Sequence, residues 1–178
     1  MCAGPGGKAA LLSNIARQRS ISFTANEVSA VRADLVRQVV NGDRVLVGDG
    51  RELGKGDEKF DAILIDAPCT GLGALRRRPE VRWRRNLQDL RELTHLQREL
   101  IDSGIQALKV GGVLGYATCS PHLAETTIQV TDLKRKHSNM EQVDIHPFLP
   151  ANMEHSERDH AMALWTHRTG TDAMYLAL

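Results

Sequence analysis

Apolar and polar positions along this chain alternate between two rhythms, helical runs of 3.6 periodicity and short continuous strands. KAALLSNIARQRS (8–20) has apolar residues at helical spacing, and ISFTAN (21–26) is β-branched and aromatic. VSAVRADLVRQVV (28–40) sets Val31, Leu35 and Val39 four apart, which predicts a helix that Asn41-Gly42 closes. RVLVG (44–48) and FDAILID (60–66) are short apolar runs suited to strands buried on both faces. The longest periodic segment is 87–110, where Leu90, Leu93, Leu96, Leu100, Ile101, Ile105 and Leu108 form one stripe and Gly111-Gly112 is the stop. VLGYATC (113–119) predicts a strand and HLAETTIQVTDLKRKH (122–137) a helix. The polar stretch 138–160 reads as a loop. AMALWTH (161–167) and AMYLAL (173–178) predict a closing hairpin across RTGT.

Strands alternating with helices predict an α/β fold with a mainly parallel sheet covered on both faces. Ligands bind such sheets at the carboxyl ends of the strands. Acidic or cysteine-bearing turns follow the predicted strands at 21–25, 44–48, 60–65 and 113–118, so the chemistry is expected along that one edge.

Composition narrows the class. A chain of 178 residues fits one domain, and a 42% hydrophobic, 25% charged make-up is that of a globular protein. The net charge of +1 gives no overall pull on polyanions, so any nucleic-acid affinity must come from local clustering. No apolar run approaches the roughly 20 residues that cross a bilayer, and the start lacks the pattern of a signal peptide. Cys2, Cys69 and Cys119 are too few and too widely spaced for a disulfide framework or a CxxC zinc site; no metal is expected, and free thiols point to the cytoplasm.

The chain opens on a glycine turn, MCAGPGGKAALL, directly before a helix. The nucleotide-triphosphate pattern fails, because Ala9 stands where the magnesium-binding hydroxyl belongs. The dinucleotide fingerprint is half present, in Gly4-Pro5-Gly6. Glu27, at the end of the next strand, is placed to accept from ribose hydroxyls, as in NAD or S-adenosylmethionine sites. Asp49, in the turn GDGR, is placed to accept from an adenine amino group. Together these features suggest an adenosine pocket.

DAPCTG (66–71) and ATCSP (117–121) each carry a cysteine at the carboxyl end of a predicted strand. Neither turn has the further ligands of a metal site, so a nucleophilic thiolate is the better functional reading. A helix N-terminus after Cys119 would favour its anion. LRRRPEVRWRR (75–85) gathers Arg76, Arg77, Arg78, Arg82, Arg84 and Arg85 around Trp83. Arginines reach phosphates and the indole offers a stacking face for a base, so this segment is the candidate nucleic-acid contact. The plain alternative is a solvated basic loop with Trp83 tucked against the core.

CAGPGGK, GDGR, DAPCTGLGALRRRPEVRW and YATCSP together resemble the RNA 5-methylcytosine methyltransferases, closest to the ribosomal RNA small subunit methyltransferase B group (Fmu/Sun). The closing LWTHRTGTDAMYLAL is similar to that family's terminal hairpin. The resemblance implies a Rossmann-like class I fold that binds S-adenosylmethionine through Cys2, Ala3, Gly4, Pro5, Gly6, Gly7 and Lys8. It also implies Glu27 on the ribose, Asp49 near the adenine, and Asp66 between cofactor and target base. It implies Cys119 as the nucleophile that adds to C6 of cytosine, Cys69 as the thiol assisting product release, and RNA, 16S ribosomal RNA foremost, as substrate. Asp66, when protonated, would stabilise charge developing at N3. The family usually carries Asp where Glu27 stands.

Two rival readings are an RNA-binding fragment without activity and an NAD-dependent oxidoreductase; the second leaves both cysteine turns unexplained. The resemblance also implies a domain truncated at its N-terminus, without the RNA-binding N-terminal domain of its relatives. No strand precedes the glycine turn, although the family's sheet has a central strand there. The expectation is a gap, a rearranged sheet, or a strand borrowed from another copy of the chain. That last case would make a homo-oligomer.

Overall fold

The computed structural model describes residues 1–151, 153, 156–158 and 160–178. Its elements run α1 (Gly7–Gln18), β1 (Thr24–Glu27), α2 (Ala30–Val39), β2 (Arg44–Val47), β3 (Phe60–Asp66), α3 (Val81–Arg84), α4 (Leu87–Ala107), β4 (Leu108–Thr118), α5 (Thr127–Lys136), β5 (Ser156–Arg158), β6 (Ala161–Leu164), α6 (Thr166–Thr169) and β7 (Met174–Ala177).

Among the described residues the strands form two sheets. β1 and β2 pair in parallel; the second sheet has the order β3-β4-β7-β6-β5. β3 and β4 are parallel, and β7, β6 and β5 close the edge in antiparallel pairs. The predicted closing hairpin is therefore present, with one helical turn, α6, as its link. The polar segment 138–160 departs from a plain loop, because Ser156–Arg158 pairs with Ala161–Ala163.

The expected gap is present between β1 and β3. A cleft of about 460 Å³ opens there, lined by Thr24, Ala25 and Asn26 on one side and by Ala62, Ile63 and Leu64 on the other, with Leu12 and Ile15 of α1 beside it. The chain's first residues bridge only its upper end. The Met1 ammonium donates to Leu64 O (2.7 Å), Asp66 N–H donates to Met1 O (3.3 Å), and Ala3 N–H donates to Asn26 O (2.9 Å). The core divides at the same seam. One apolar cluster is built from β3, β4, α4 and the closing strands, and a separate small one from Ala9, Ala25, Val36 and Val40.

The helix predicted from the spacing of Val31, Leu35 and Val39 is present as α2; its buried positions are Ala33 and Val36, followed by Val40, while Val31 is 75% exposed. Two sequence expectations are corrected by packing. β2 is not buried on both faces, since it has a neighbour on one side only and Arg44 and Val47 are exposed. The long helix ends at Ala107, and 108–110 already belong to β4. Gly111 (φ +81°) and Gly112 do not stop a helix but bend a strand, where the β3–β4 register shifts between Phe60 and Ala62. A Cβ at Gly112 would lie 3.0 Å from Asp61 O, so a side chain there would wedge the two strands apart.

Candidate active site

The glycine turn leads into α1 through a cis Gly4-Pro5 bond and Gly6 at φ +120°. Its glycines do two jobs. A Cβ at Gly4 would meet Glu27 Oε2 and Arg32 Cβ at 2.8 Å, and one at Gly6 would meet Val39 Cγ2 at 2.8 Å, so these two let the turn lie flat on α2. Gly7 has no atom within 4 Å of its Cβ position, and α1 has no side-chain cap. The first turn of α1 therefore offers free backbone donors to open space, which suits a carboxylate or another small anion.

The acidic residues lie where expected, at the carboxyl ends of β1, β2 and β3. Glu27 is fully buried and already bonded: Gly4 N–H (2.9 Å) and Ser29 N–H (3.0 Å) donate to it, and Arg32 Nη2 sits 2.6 Å away. Contact with a ribose therefore requires Arg32, whose side chain is half exposed, to swing off the carboxylate. Asp49 follows β2 and accepts from the Arg51 backbone and guanidinium; those hydrogen bonds hold its carboxyl below the ordinary range. Asp66 ends β3 and pairs with Lys8 Nζ at 2.9 Å, so the turn's lysine and the third carboxylate face the same space. Cys2 sits at φ +58°, and burial pushes its thiol up to about 11, which leaves it unreactive near neutrality.

The two cysteine turns meet. Cys69 follows β3 and Cys119 follows β4, and because these strands are parallel neighbours the Sγ atoms come within 3.3 Å. Cys119 is lowered to about 7, first by its hydrogen bond with Cys69 and also by the charge of Lys8, against burial and Asp66. Cys69 is raised, by that same bond and by burial. The expected helix N-terminus is not the cause. After Cys119 the chain makes a single 3-10 turn at Leu123–Glu125, and α5 begins only at Thr127.

Beneath the thiols lies a buried polar network that sequence reasoning missed. Glu125, fully buried, accepts from Thr70 N–H (2.8 Å), Thr70 Oγ1 (2.5 Å) and Gln97 Nε2 (3.1 Å). Gln97 Nε2 also donates to Pro68 O (2.8 Å). The Tyr116 hydroxyl lies within hydrogen-bond distance of both Gln97 Oε1 and Glu125 O. Gln97 stood in the predicted apolar helix and Glu125 in the next; a buried polar position inside an amphipathic pattern was the only available signal.

The arginine segment starts at the site. Gly73 N–H donates to Cys119 O (2.9 Å), and Ala173 N–H donates back to Gly73 O (3.0 Å). Arg77 forms a two-pronged ion pair with Asp172, and Arg76 donates to Gly170 O (3.0 Å). These two anchor the segment to the closing hairpin. Arg78, Arg82, Arg84 and Arg85 face solvent, and Trp83 is 78% exposed, which excludes the reading that tucks the indole into the core. No helix among the described residues is long and apolar enough to cross a membrane. Among the described residues no three His, Cys, Asp or Glu side chains gather as a metal site.

Strand order, the glycine turn before α1 and the carboxylates at successive strand ends define a Rossmann-like methyltransferase fold of class I. The chain belongs to the family described as 16S rRNA methyltransferase RsmB/F, whose profile matches residues 1–178. It is 51% identical over 180 residues to a protein of Mycobacterium tuberculosis (strain ATCC 25618 / H37Rv) named as a methyltransferase, covering 99% of this chain and 39% of that protein. It is 40% identical over 144 residues to ribosomal RNA small subunit methyltransferase B of Enterobacter sp. (strain 638), covering 78% of this chain and 33% of the relative. Among solved structures it superposes on PH0851 with a TM-score of 0.88 at 30% identity, covering 99% of this chain and 40% of that one. NSun6 from Pyrococcus horikoshii, solved with SFG, gives 0.86 at 26% identity, covering 99% and 45%. The chain thus spans well under half the length of the relatives it matches.

Proposed function

We propose that residues 1–178 form a catalytic domain that methylates C5 of cytosine in RNA, 16S ribosomal RNA foremost, with S-adenosylmethionine as donor. The observation that carries this reading is the pair of thiols 3.3 Å apart at the ends of adjacent parallel strands, one of them lowered to about 7. C5 of cytosine is a poor nucleophile. Addition of the Cys119 thiolate to C6 makes C5 an enamine-type carbon able to take a methyl group.

The cofactor supplies an electrophilic sulfonium methyl. The free donors at the start of α1 fit its carboxylate end, and Glu27 and Asp49 fit its ribose and adenine, Glu27 once Arg32 moves aside. The NSun6 relative solved with SFG, an analogue of S-adenosylmethionine, supports this choice. Asp66, ion-paired with Lys8, is assigned to the N3 edge of the base when it carries a proton. After methyl transfer a base removes the C5 proton, the C6–Sγ bond breaks, and Cys119 leaves as thiolate. Cys69 serves that release step. Arg78, Arg82, Trp83, Arg84 and Arg85 hold the strand, while Arg76 and Arg77 orient the segment.

The test is transfer of labelled methyl groups from S-adenosylmethionine into unmodified 16S rRNA, followed by nucleoside analysis. Cys119→Ala abolishes turnover, and Cys69→Ala accumulates a covalent protein–RNA adduct. An adduct trapped by Cys119→Ala with normal release by Cys69→Ala reverses the two roles. Label at a position other than C5 overturns the reading.

A further inference from the structure

The thiol pair is only as well defined as the two turns that carry it, and these turns are tied together from below by one side chain. Glu125 comes from the segment after Cys119, and its two strongest contacts are to Thr70, the residue after Cys69. Both carboxylate oxygens are used. Oε1 receives Thr70 N–H and Gln97 Nε2, and Oε2 receives the Thr70 hydroxyl. Two N–H donors meet at Oε1 and the Thr70 hydroxyl lies against Oε2, so both ends of the buried side chain are engaged. Its burial is opposed by desolvation. A buried carboxylate retained on those terms, inside a network that also binds Pro68 O and the Tyr116 hydroxyl, has a positional purpose that an apolar side chain would not serve.

We propose that Glu125 is a positioning residue for the thiol pair: its carboxylate clamps the Cys69 turn to the Cys119 turn and thereby sets the Sγ–Sγ contact. The value of this clamp to catalysis rests on the methyltransfer reading above; the clamp itself is a property of the folded chain. Loosening Thr70 moves Cys69, lengthens the thiol–thiol contact and withdraws the hydrogen bond that favours the Cys119 anion.

The test needs neither RNA nor cofactor, so it stands apart from the fate of the methyltransfer reading. The rate of Cys119 alkylation by iodoacetamide is followed against pH, with the labelled peptide quantified by mass spectrometry. In the parent chain its midpoint is expected at about 7. Glu125→Ala removes both acceptor oxygens, releases Thr70, and is expected to move the midpoint upward toward the ordinary thiol value of 9.0. Cys69→Ala is expected to do the same, and Glu125→Ala added to Cys69→Ala to shift it no further. A midpoint unchanged in Glu125→Ala overturns the proposal, as does a shift that persists in full when Cys69 is absent. If Glu125→Ala does not fold, Thr70→Val removes one of the same donors and is read by the same criteria, with Thr70→Ser expected to restore the parent midpoint. A lower melting temperature with an unmoved midpoint marks a merely structural role.

Discussion

Cys69 Sγ and Cys119 Sγ lie 3.3 Å apart, and the bond between them divides their chemistry. The contact holds Cys119 below the ordinary thiol range and pushes Cys69 above it. Of the chain's three cysteines, Cys119 is therefore the one expected to ionise first.

Differential labelling checks this directly. At pH 7.5 iodoacetamide modifies Cys119 at least about tenfold faster than Cys2, after allowing for the lower intrinsic nucleophilicity of a less basic thiolate. The rate at Cys119 rises as pH climbs through about 7 and then levels, whereas that at Cys2 climbs until about 11. Equal labelling of Cys2 and Cys119 at pH 7.5 would remove the basis for assigning the nucleophile.

The close approach at Gly73 predicts a loss of stability. A Cβ there would sit 2.2 Å from Ala173 O and 2.7 Å from Cys119 O, both backbone atoms that have no rotamer to relieve them. Gly73→Ala must push the arginine segment away from both loops, and is expected to cost about 2–3 kcal/mol or more, read as a lowered melting temperature. Gly71→Ala is the comparison: it meets no atom within 4 Å, and strain at φ +73° is its only cost, about 1–2 kcal/mol. Equal losses at the two glycines would argue against the packing described.

The exposed arginines carry a salt signature. Replacing Arg82, Arg84 and Arg85 by Ala removes three phosphate contacts and reduces the slope of log affinity against log salt by about 2, using the single-strand coefficient. Trp83→Ala leaves the slope alone and weakens binding by about 1–3 kcal/mol at every salt concentration, because stacking is not ionic. Filter binding of a single-stranded rRNA fragment from 50 to 300 mM salt separates the two (a concentration range chosen on the order of the Debye regime). A slope unchanged in the triple variant takes these arginines off the RNA path.

The sequence made the site legible where chemistry and strand ends coincide. Cys69, Cys119, Asp66 and Glu27 all stand at the carboxyl ends predicted for them, because alternation of buried runs fixes which residues end a parallel strand. It was silent where the third dimension decides. Val31, Leu35 and Val39 make a regular stripe, yet α2 buries Ala33 and Val36, a choice that the neighbouring β1 and α1 make and the one-dimensional pattern does not. Gly111-Gly112 reads as a helix stop in any one-dimensional pattern; only the neighbouring strand reveals it as a bend. Glu125 and Gln97 showed only as polar residues inside amphipathic patterns, because a buried polar network leaves no periodic mark of its own.

The cleft between β1 and β3 yields the last prediction. Its two walls are strand edges with no strand paired between them among the described residues, and α1 closes it with apolar side chains. The Met1 ammonium points into this apolar space. Desolvation lowers its pKa from 8.0, so just below pH 8 the unfolded chain binds more protons than the folded one. Stability then rises as pH rises toward 8. Adding four or five apolar β-formers ahead of Met1 replaces the ammonium by an amide that keeps the bond to Leu64 O and continues between the two edges as a parallel strand. The extended chain is expected to melt several degrees higher and to lose the part of its pH dependence that lies just below pH 8. An extension of alternating Asp and Gly should do the second but not the first, since it removes the terminal charge without filling the cleft. Thermal melts at pH 6, 7 and 8, with Met1 retention checked by intact mass, decide the matter. No gain from the apolar extension over the Asp-Gly one would mean that the seam between the two sheets does not accept a strand.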